Sequence, residues 1–444
     1  GVGGGRGRGD DGAEAEVGGR EQEAGTRCIE VSRWDGDLGG TDGDLAIPWE
    51  RGGAGEVKGS RTRKWVRGLG VAGGVLVLLV VGGFVGWRTV MTYFQNRYYR
   101  EVLAPTELAA DRIGDYPAEY HLDDVPWIAT REPYCQANSL AMIAVQHGAD
   151  GSTGRCSFLM GFTYGASEVP GSVGFFPFTD PEPGFAVAAP YLGLMRRYYV
   201  TDEETLYLDA LRYYVSKGYA VRLGLDVAVL YDLDDQLPHS ELLVGYDETG
   251  FTYYETVCLP GVPCEPGHLP PGEEGLWVSD EMLLDAVLGQ AAMFSYPWRY
   301  SLTIFEAGST EDELGPIWAR NGSLLIGGAQ YGPLQGADAI DELATVIEKR
   351  GARVDVSAVR WGLEAAVCTR RDNAAYVRGA FTDQADIKRA VALFERAADD
   401  YEAVLSAVDD GIADQAEAEQ VAAWLRDAAT AEREVGEVFV WRGK

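Results

Sequence analysis

A helical pattern led by a cysteine, and a distant pair of strands led by a histidine, constrain this fold more than any other feature. The run CQANSLAMIAVQHG begins at Cys135, shortly after the turn former Pro133, and repeats apolar residues at helical spacing. The run HSELLVGYDETGFTYYET begins at His239 and predicts two alternating strands joined by the turn DETG. Together they predict an α+β fold in which a helix packs on an antiparallel sheet.

The same segments carry three residues suited to acyl chemistry. Cys135 lies at the predicted amino end of its helix, where free N–H groups and the dipole favour a thiolate over a thiol. His239 enters one strand as a general base, and Glu255 lies near the end of the next strand, which could bring the two side chains together. Asp247 is a rival for the role of Glu255, although its place in the turn favours a solvated residue.

The chain has only four histidines, which narrows the choice of a base. His147 falls at the end of the predicted helix, whereas His121 and His268 fall in predicted loops. His239 is the histidine at a strand start beside a hairpin, and we therefore expect it to be the partner of Cys135.

The motifs in residues 131–260 resemble a known family. The cysteine-led helix YCQANSLAMIAVQHG, the stretch SEVPGSVGFFPF, the strand KGYAVRLGLDVAVLYD and the strand HSELLVGYDETGF are similar to the amino-terminal domain family typified by the butirosin-biosynthesis acyltransferase H. That family is related to the bacteriocin-processing, papain-like cysteine peptidases. The resemblance implies a papain-like domain with Cys135 as nucleophile, His239 as base and Glu255 as orienting residue.

Two departures from the papain-like pattern are visible. The orienting residue of such families is commonly Asp or Asn, whereas this chain offers Glu255. The oxyanion glutamine expected about six residues before the cysteine is absent from Ile128-Ala129-Thr130. Gln136, Asn138 or the backbone N–H of Cys135 would then supply the donors. Phe175 and Phe176 are expected to form a substrate-pocket wall or the edge of the core.

Residues 68–87, GLGVAGGVLVLLVVGGFVGW, are twenty residues without a charge, and this length and composition predict one transmembrane helix. Six basic residues in 51–67 precede the run and three in 88–100 follow it, so the amino terminus is expected in the cytoplasm and the later domains outside the cell. The sequence predicts five segments. They are a disordered acidic and Gly-rich tail (1–66), a membrane helix (67–88), a helical stalk (89–114), the papain-like domain (115–305), and a connector with a helical domain (306–444).

Composition restricts the partners. The chain has 69 acidic and 38 basic residues, a formal charge of −31, which disfavours nucleic acid. The expected partners are the membrane, through residues 68–87, and a peptide or acyl-thioester substrate. Cys258 and Cys264 would form a disulfide in an exported domain, or remain two unpaired thiols in a reducing compartment.

The sequence therefore predicts a membrane-anchored, cysteine-dependent hydrolase or acyltransferase. The alternative is an inactive papain-like scaffold that binds a peptide or small molecule. No metal or cofactor is expected, because the cysteines match no zinc spacing and the Gly-rich runs lack the context of a nucleotide-binding motif.

Overall fold

The computed structural model describes residue 93 and residues 96–168, 175–258, 267–269, 272, 274–327, 334–355, 357–382, 384–409 and 411–444. The predicted tail and the predicted spanning helix lie outside these residues.

The helices of the structure correct the prediction of a transmembrane helix and, with it, the single-pass localisation. No helix among the described residues combines the length and the apolar character needed to cross a bilayer. The long helices of the carboxy-terminal half carry charged residues along one face, as helices bordered by water do. The fold class that the described residues support is α+β, with a mixed sheet and a carboxy-terminal helical bundle.

A mixed, mostly antiparallel sheet of eight strands forms the centre of the amino-terminal part. The strands, numbered along the chain together with those of two small ribbons, are β1 (Thr106–Glu107), β2 (Tyr120–His121), β3 (Trp127–Ala129), β4 (Ser167–Glu168), β5 (Phe175–Phe176), β6 (Leu194–Thr201), β7 (Val221–Asp226), β8 (Pro238–Tyr246), β9 (Gly250–Tyr254), β10 (Gly267–Leu269), β11 (Leu276–Ser279) and β12 (Tyr300–Ala307). The sheet order is β1-β6-β12-β7-β8-β9-β11, with β2 also paired to β8, whereas β3 pairs with β10 and β4 with β5. Only the β1–β6 pair of this sheet is parallel.

The predicted hairpin is confirmed as β8 and β9. Its turn is closed by Asp247, whose carboxylate accepts hydrogen bonds from the backbone N–H groups of Thr249 (2.6 Å) and Gly250 (2.9 Å). The Thr249 hydroxyl, which donates to the same carboxylate over 2.7 Å, and these backbone bonds hold the pKa of Asp247 below its usual range. Asp247 is therefore a turn residue, away from the buried end of the hairpin.

The predicted alternation along β8 is wrong, because the strand is buried along nearly its whole length. It lies inside the sheet between β7 and β9, and two of the helices pack on it. A bulge between Leu243 and Gly245 interrupts its pairing with β9. A Cβ atom at Gly245 would lie 2.8 Å from the His121 ring, so the approach of β2 requires glycine there.

Eleven helices are bounded within the described residues. They are α1 (Cys135–Gln146), α2 (Thr153–Met160), α3 (Pro181–Ala188), α4 (Glu204–Ser216), α5 (Val227–Tyr231), α6 (Asp280–Met293), α7 (Gly315–Ile326), α8 (Gly336–Arg350), α9 (Ser357–Ala380), α10 (Ala385–Ala407) and α11 (Gln415–Arg442). Helix α1, led by Cys135, packs on β8 and β3, as the sequence predicted.

The carboxy-terminal helices form a bundle in which α11 contacts α7, α8 and α10, and α9 packs on α10. Helix α10 buries one apolar face, formed by Ile387, Ala390, Val391, Phe394 and Ala397. One hydrophobic core runs from the sheet into this bundle, and a second lies mainly inside the bundle.

Two predicted connecting segments differ from the expected structure. The connector from residue 306 includes helix α7, which begins at a Gly-Pro pair and buries Trp318 against α11. The predicted stalk is helical over residues 96–103 and then gives way to strand β1, because Pro105 cannot continue a helix.

Candidate active site

Helix α1 presents Cys135 at its first position. Its N-cap residue, Tyr134, provides no side-chain cap. The first N–H groups of a helix have no acceptor inside it, so this end is electropositive and favours an anion beside it. The residue is only 9% exposed. Cys135 therefore lies at the electropositive amino end of a helix, beneath a nearly closed surface.

The structure brings the three predicted catalytic residues together. His239 Nε2 hydrogen-bonds to Glu255 Oε1 over 2.6 Å, and Cys135 is among the neighbouring side chains that raise the pKa of His239. The hairpin explains this meeting, because His239 lies near the start of β8 and Glu255 directly follows β9. All three side chains are buried. The extra methylene of glutamate is accommodated, since Glu255 reaches the ring directly.

Glu255 is held as a carboxylate by several donors. Its Oε1 accepts from the N–H groups of Thr256 (2.8 Å) and Val257 (3.0 Å), and its Oε2 accepts from the Tyr231 hydroxyl (2.7 Å). Burial alone would raise the pKa of Glu255, but the charge and the hydrogen bond of His239, with a smaller contribution from other hydrogen bonds such as that of the Val257 N–H, lower it to about 2. Glu255 is an ionised acceptor for the imidazole across the neutral range.

The histidine is biased toward its charged form. Burial lowers the pKa of His239, but the Glu255 carboxylate, together with the neighbouring Cys135 and Glu241 side chains, raises it well above the ordinary value. A protonated imidazole beside the thiol is the ionic partner that a thiolate needs.

A third acid, Glu241, lies in the same cluster and was missed by the sequence reasoning. It follows His239 by two positions in β8, so both side chains leave the strand on the same side. Glu241 is fully buried, and its Oε1 lies 3.3 Å from His239 Nε2. Burial raises the pKa of Glu241 well above the usual range, and the charge of Glu255 raises it further. The signal in the sequence is the His-x-Glu alternation inside an otherwise apolar strand.

His239, Glu241 and Glu255 each offer a metal-ligand type of atom, and these atoms lie within 4.8 Å of one another. The His239–Glu255 separation of 2.6 Å is shorter than the roughly 3 Å between two ligands bonded to one zinc ion at ~2 Å each. The arrangement fits a hydrogen-bonded triad better than a metal centre.

Gln136 belongs to a buried polar chain beside the thiol. Its Oε1 accepts from Arg222 Nη2 (2.6 Å), and Arg222 also bonds to Ser240 Oγ (3.0 Å) and forms an ion pair with Glu182. Arg196 binds the same Glu182 carboxylate. Arg222 occupies the amide oxygen of Gln136, which is an acceptor. The Nε2 group, which is the donor, is left for a substrate oxygen.

The side-chain donors of Asn138 are committed to the fold. Asn138 Nδ2 donates to Thr130 Oγ1 (3.0 Å) and to the Thr256 carbonyl (2.8 Å), while its Oδ1 accepts from Thr153 (2.7 Å). These bonds tie α1 to the segment that carries Glu255. Asn138 therefore fixes the position of the site, and the oxyanion donors are left to Gln136 and the helix N–H groups.

The two phenylalanines expected at the pocket wall pack on the helical bundle. Phe175 is buried and stacks on Tyr401, with ring centroids 6.0 Å apart. Phe176 is 40% exposed and meets Trp361 edge to face at 5.5 Å. These contacts match the expected core edge, and they join the two parts of the molecule.

The other cysteines differ from Cys135. Cys258 is disulfide-bonded, with a partner outside the described residues, so the alternative of an unpaired Cys258 thiol is wrong. Cys156 and Cys368, like Cys135, are not disulfide-bonded. Cys156 differs in that burial raises the pKa of its thiol far above the usual value. A cavity of about 320 Å³ lies elsewhere, lined by residues 103–104, 186–190, 194–198 and 308–309.

No protein-family model matches this chain, and no curated protein matches it. The similarity to the butirosin-H-type domain therefore remains a prediction from the motifs.

Proposed function

We propose that the protein is a cysteine-dependent hydrolase or acyltransferase in which Cys135 is the nucleophile, His239 the acid and base, and Glu255 the orienting carboxylate. One observation carries the proposal: the buried His239 ring is hydrogen-bonded to an ionised Glu255, and Cys135 is among the side chains that raise the pKa of His239. The three residues are separated widely in the chain, and their meeting at a helix amino end is the arrangement that thiol catalysis requires.

The reaction follows from the protonation of the pair. The Cys135 thiolate attacks a carbonyl carbon, a bond forms between sulfur and carbon, and the carbonyl electrons move onto oxygen. When the tetrahedral intermediate collapses, the bond to the leaving group breaks and the His239 imidazolium gives that group its proton. Water or an amine then attacks the acyl-enzyme, His239 takes the proton of the attacking group, and the thiolate departs.

The developing oxyanion would be stabilised at the amino end of α1. The Cys135 N–H and the Gln136 side chain are the donors beside the thiol, since Asn138 is committed elsewhere. A donor set without the usual glutamine suits a thioester, whose carbonyl is already activated, better than an amide. The butirosin-H resemblance supports the same substrate class, an acyl thioester, with peptide hydrolysis as the competing activity.

The second candidate function is a catalytically inactive scaffold that binds a peptide or small molecule. The observation that favours it is the low exposure of Cys135, 9%, which limits the approach of a substrate carbonyl.

Trapping of the acyl-enzyme separates the two functions. The protein is incubated with a small acyl thioester, and the Cys135 peptide is examined by mass spectrometry. The enzyme proposal expects an acyl adduct on Cys135 that is lost in Cys135→Ala and forms more slowly in His239→Ala. Equal acylation of Cys368, or an unmodified Cys135, would support the scaffold.

A further inference from the structure

Glu241 is the one carboxyl of the cluster that the fold leaves without a donor. Among the described residues, nothing donates a hydrogen bond to either of its side-chain oxygens, although the residue is fully buried. A buried polar group without a partner costs about 1–3 kcal/mol, and such exceptions in folded proteins call for an explanation.

The groups around Glu241 already have other partners. The Tyr231 hydroxyl bonds to Glu255 Oε2 and lies 2.9 Å from the Tyr253 hydroxyl. The Nε2 proton of His239 is directed to Glu255 at 2.6 Å, whereas Glu241 Oε1 lies farther from the same nitrogen, at 3.3 Å. The single Nε2–H of one imidazolium cannot satisfy two carboxylates at once.

Glu241 and Glu255, which both lie beside His239 Nε2, also repel each other when both are ionised. Their ligand-type oxygens and the His239 nitrogen lie within 4.8 Å of one another, in a site closed to water. Like charges at this distance cannot both persist, so one acid keeps its proton. Glu255 has four donors and Glu241 has none, and Glu255 is therefore the ionised member.

We propose that Glu241 is a positioning residue for His239 and that it acts as a neutral carboxylic acid, held against the ring beside the Glu255 carboxylate. The inference deepens the proposed function and rests on it. A neutral Glu241 fixes one side of the imidazole without adding a second negative charge. A second charge would hold the proton on His239 and hinder its transfer to the leaving group.

This role separates stability from activity. Removing a residue that is kept for structure makes the protein less stable. Removing a buried acid without partners does not, because such an acid destabilises the folded protein. Glu241→Met, which keeps most of the volume, should therefore leave the protein at least as stable to urea as the wild type. The same change should slow alkylation of Cys135 by iodoacetamide at pH 6 by roughly tenfold, because the ring is less well held.

Glu241→Gln is the matched control, since its amide has the shape and neutrality of a protonated carboxyl group. We expect it to alkylate within about threefold of the wild-type rate, a difference of less than 1 kcal/mol. If Glu241→Gln is as slow as Glu241→Met, the neutral-acid proposal is overturned. It is also overturned if Glu241→Met is less stable and alkylates normally, which would make Glu241 structural.

Histidine NMR provides a readout that does not depend on thiol reactivity. The chain has four histidines, and a His239→Gln variant assigns the signal. The titration of His239 should be unchanged in Glu241→Gln and displaced to lower pH in Glu241→Met. Displacement in both variants would show that Glu241 is an anion and would overturn the proposal. An unreactive wild-type Cys135 with the expected titrations would defeat the enzyme function alone.

Discussion

Two buried charge clusters of this protein differ in one respect, the completeness of their hydrogen bonding. In the bundle, Arg370 donates to both Glu432 oxygens and to the carbonyls of Thr163, Pro177 and Gly165. The Tyr401 hydroxyl adds a further bond to Glu432. In the candidate site, His239 and Glu255 are paired, but Glu241 has no donor.

The Arg370–Glu432 cluster, in which hydrogen bonding is complete, joins the helical bundle to the amino-terminal part of the chain. Arg370 lies on α9 and Glu432 on α11, and the carbonyls that Arg370 binds belong to the amino-terminal part of the chain. Complete hydrogen bonding offsets the desolvation cost of a buried ion pair, and it leaves no group of the pair available for a reaction. The incomplete cluster surrounds a thiol at a helix end. Incomplete pairing at such a place indicates a site kept for function at some cost in stability.

The largest expected effect comes from breaking the saturated cluster. Arg370→Met leaves the Glu432 carboxylate buried without its cation, which should cost about 3–5 kcal/mol of unfolding free energy in urea. Arg389→Met is the matched control. It removes an exposed pair with Glu434 (2.8 Å) and should cost less than about 1 kcal/mol. Equal losses in the two variants would remove the distinction between the clusters.

The second effect concerns reactivity. Glu255→Gln removes the anion that keeps His239 protonated, so the Cys135 thiolate loses its stable counter-ion. Alkylation of Cys135 by iodoacetamide at pH 6 should fall by about 100-fold. The Arg370→Lys variant, which retains a cation in the bundle, should alkylate at the wild-type rate. A Glu255→Gln rate within twofold of the wild type would exclude Glu255 as the orienting residue.

The third effect is the pH dependence of stability. The lowered pKa of Glu255 contributes stability that is present above the ordinary value of 4.5 and is lost as pH falls toward about 2. The raised pKa of His239 contributes stability that is present below 6.5 and is lost as pH rises through its folded pKa. The difference in unfolding free energy between the wild type and the His239→Gln/Glu255→Gln variant should therefore be largest between the ordinary pKa of glutamate and that of histidine. A difference that is flat from pH 2 to 9 would contradict the assigned charges.

The smallest effect tests the predicted pocket wall. Phe176→Ala removes one edge-to-face contact with Trp361 and should cost about 1 kcal/mol of stability. Acylation and alkylation of Cys135 should not change, because the ring packs on the bundle. A loss of Cys135 reactivity with normal stability would restore Phe176 to the substrate pocket.

The sequence predicted the local parts of this site and missed those that depend on long-range packing. The cysteine-led helix and the DETG hairpin follow from periodicity and turn chemistry, and they carry Cys135, His239 and Glu255 to one place. The partner of Gln136 could not be predicted, because Arg222 reaches it across the sheet.

Burial explains the remaining errors. Asn138 resembled an oxyanion donor in sequence, but buried acceptors on two other segments use both of its N–H groups. Glu241 was not considered, because two alternating strands were expected there, whereas the flanking strands and the helices packed on β8 bury nearly the whole strand. The apolar run 68–87 suggested a membrane helix from composition alone, a prediction that the described helices do not support.

The pH profile of Cys135 alkylation tests the central claim most directly. Iodoacetamide labelling of Cys135, Cys368 and a model thiol is followed by mass spectrometry from pH 4 to 9. A pair with His239 predicts fast labelling of Cys135 near pH 6, where the model thiol is almost unreactive, and loss of that acidic plateau in His239→Ala. Labelling of Cys135 that rises with pH in parallel with the model thiol, and is unaffected by His239→Ala, would contradict the proposed site.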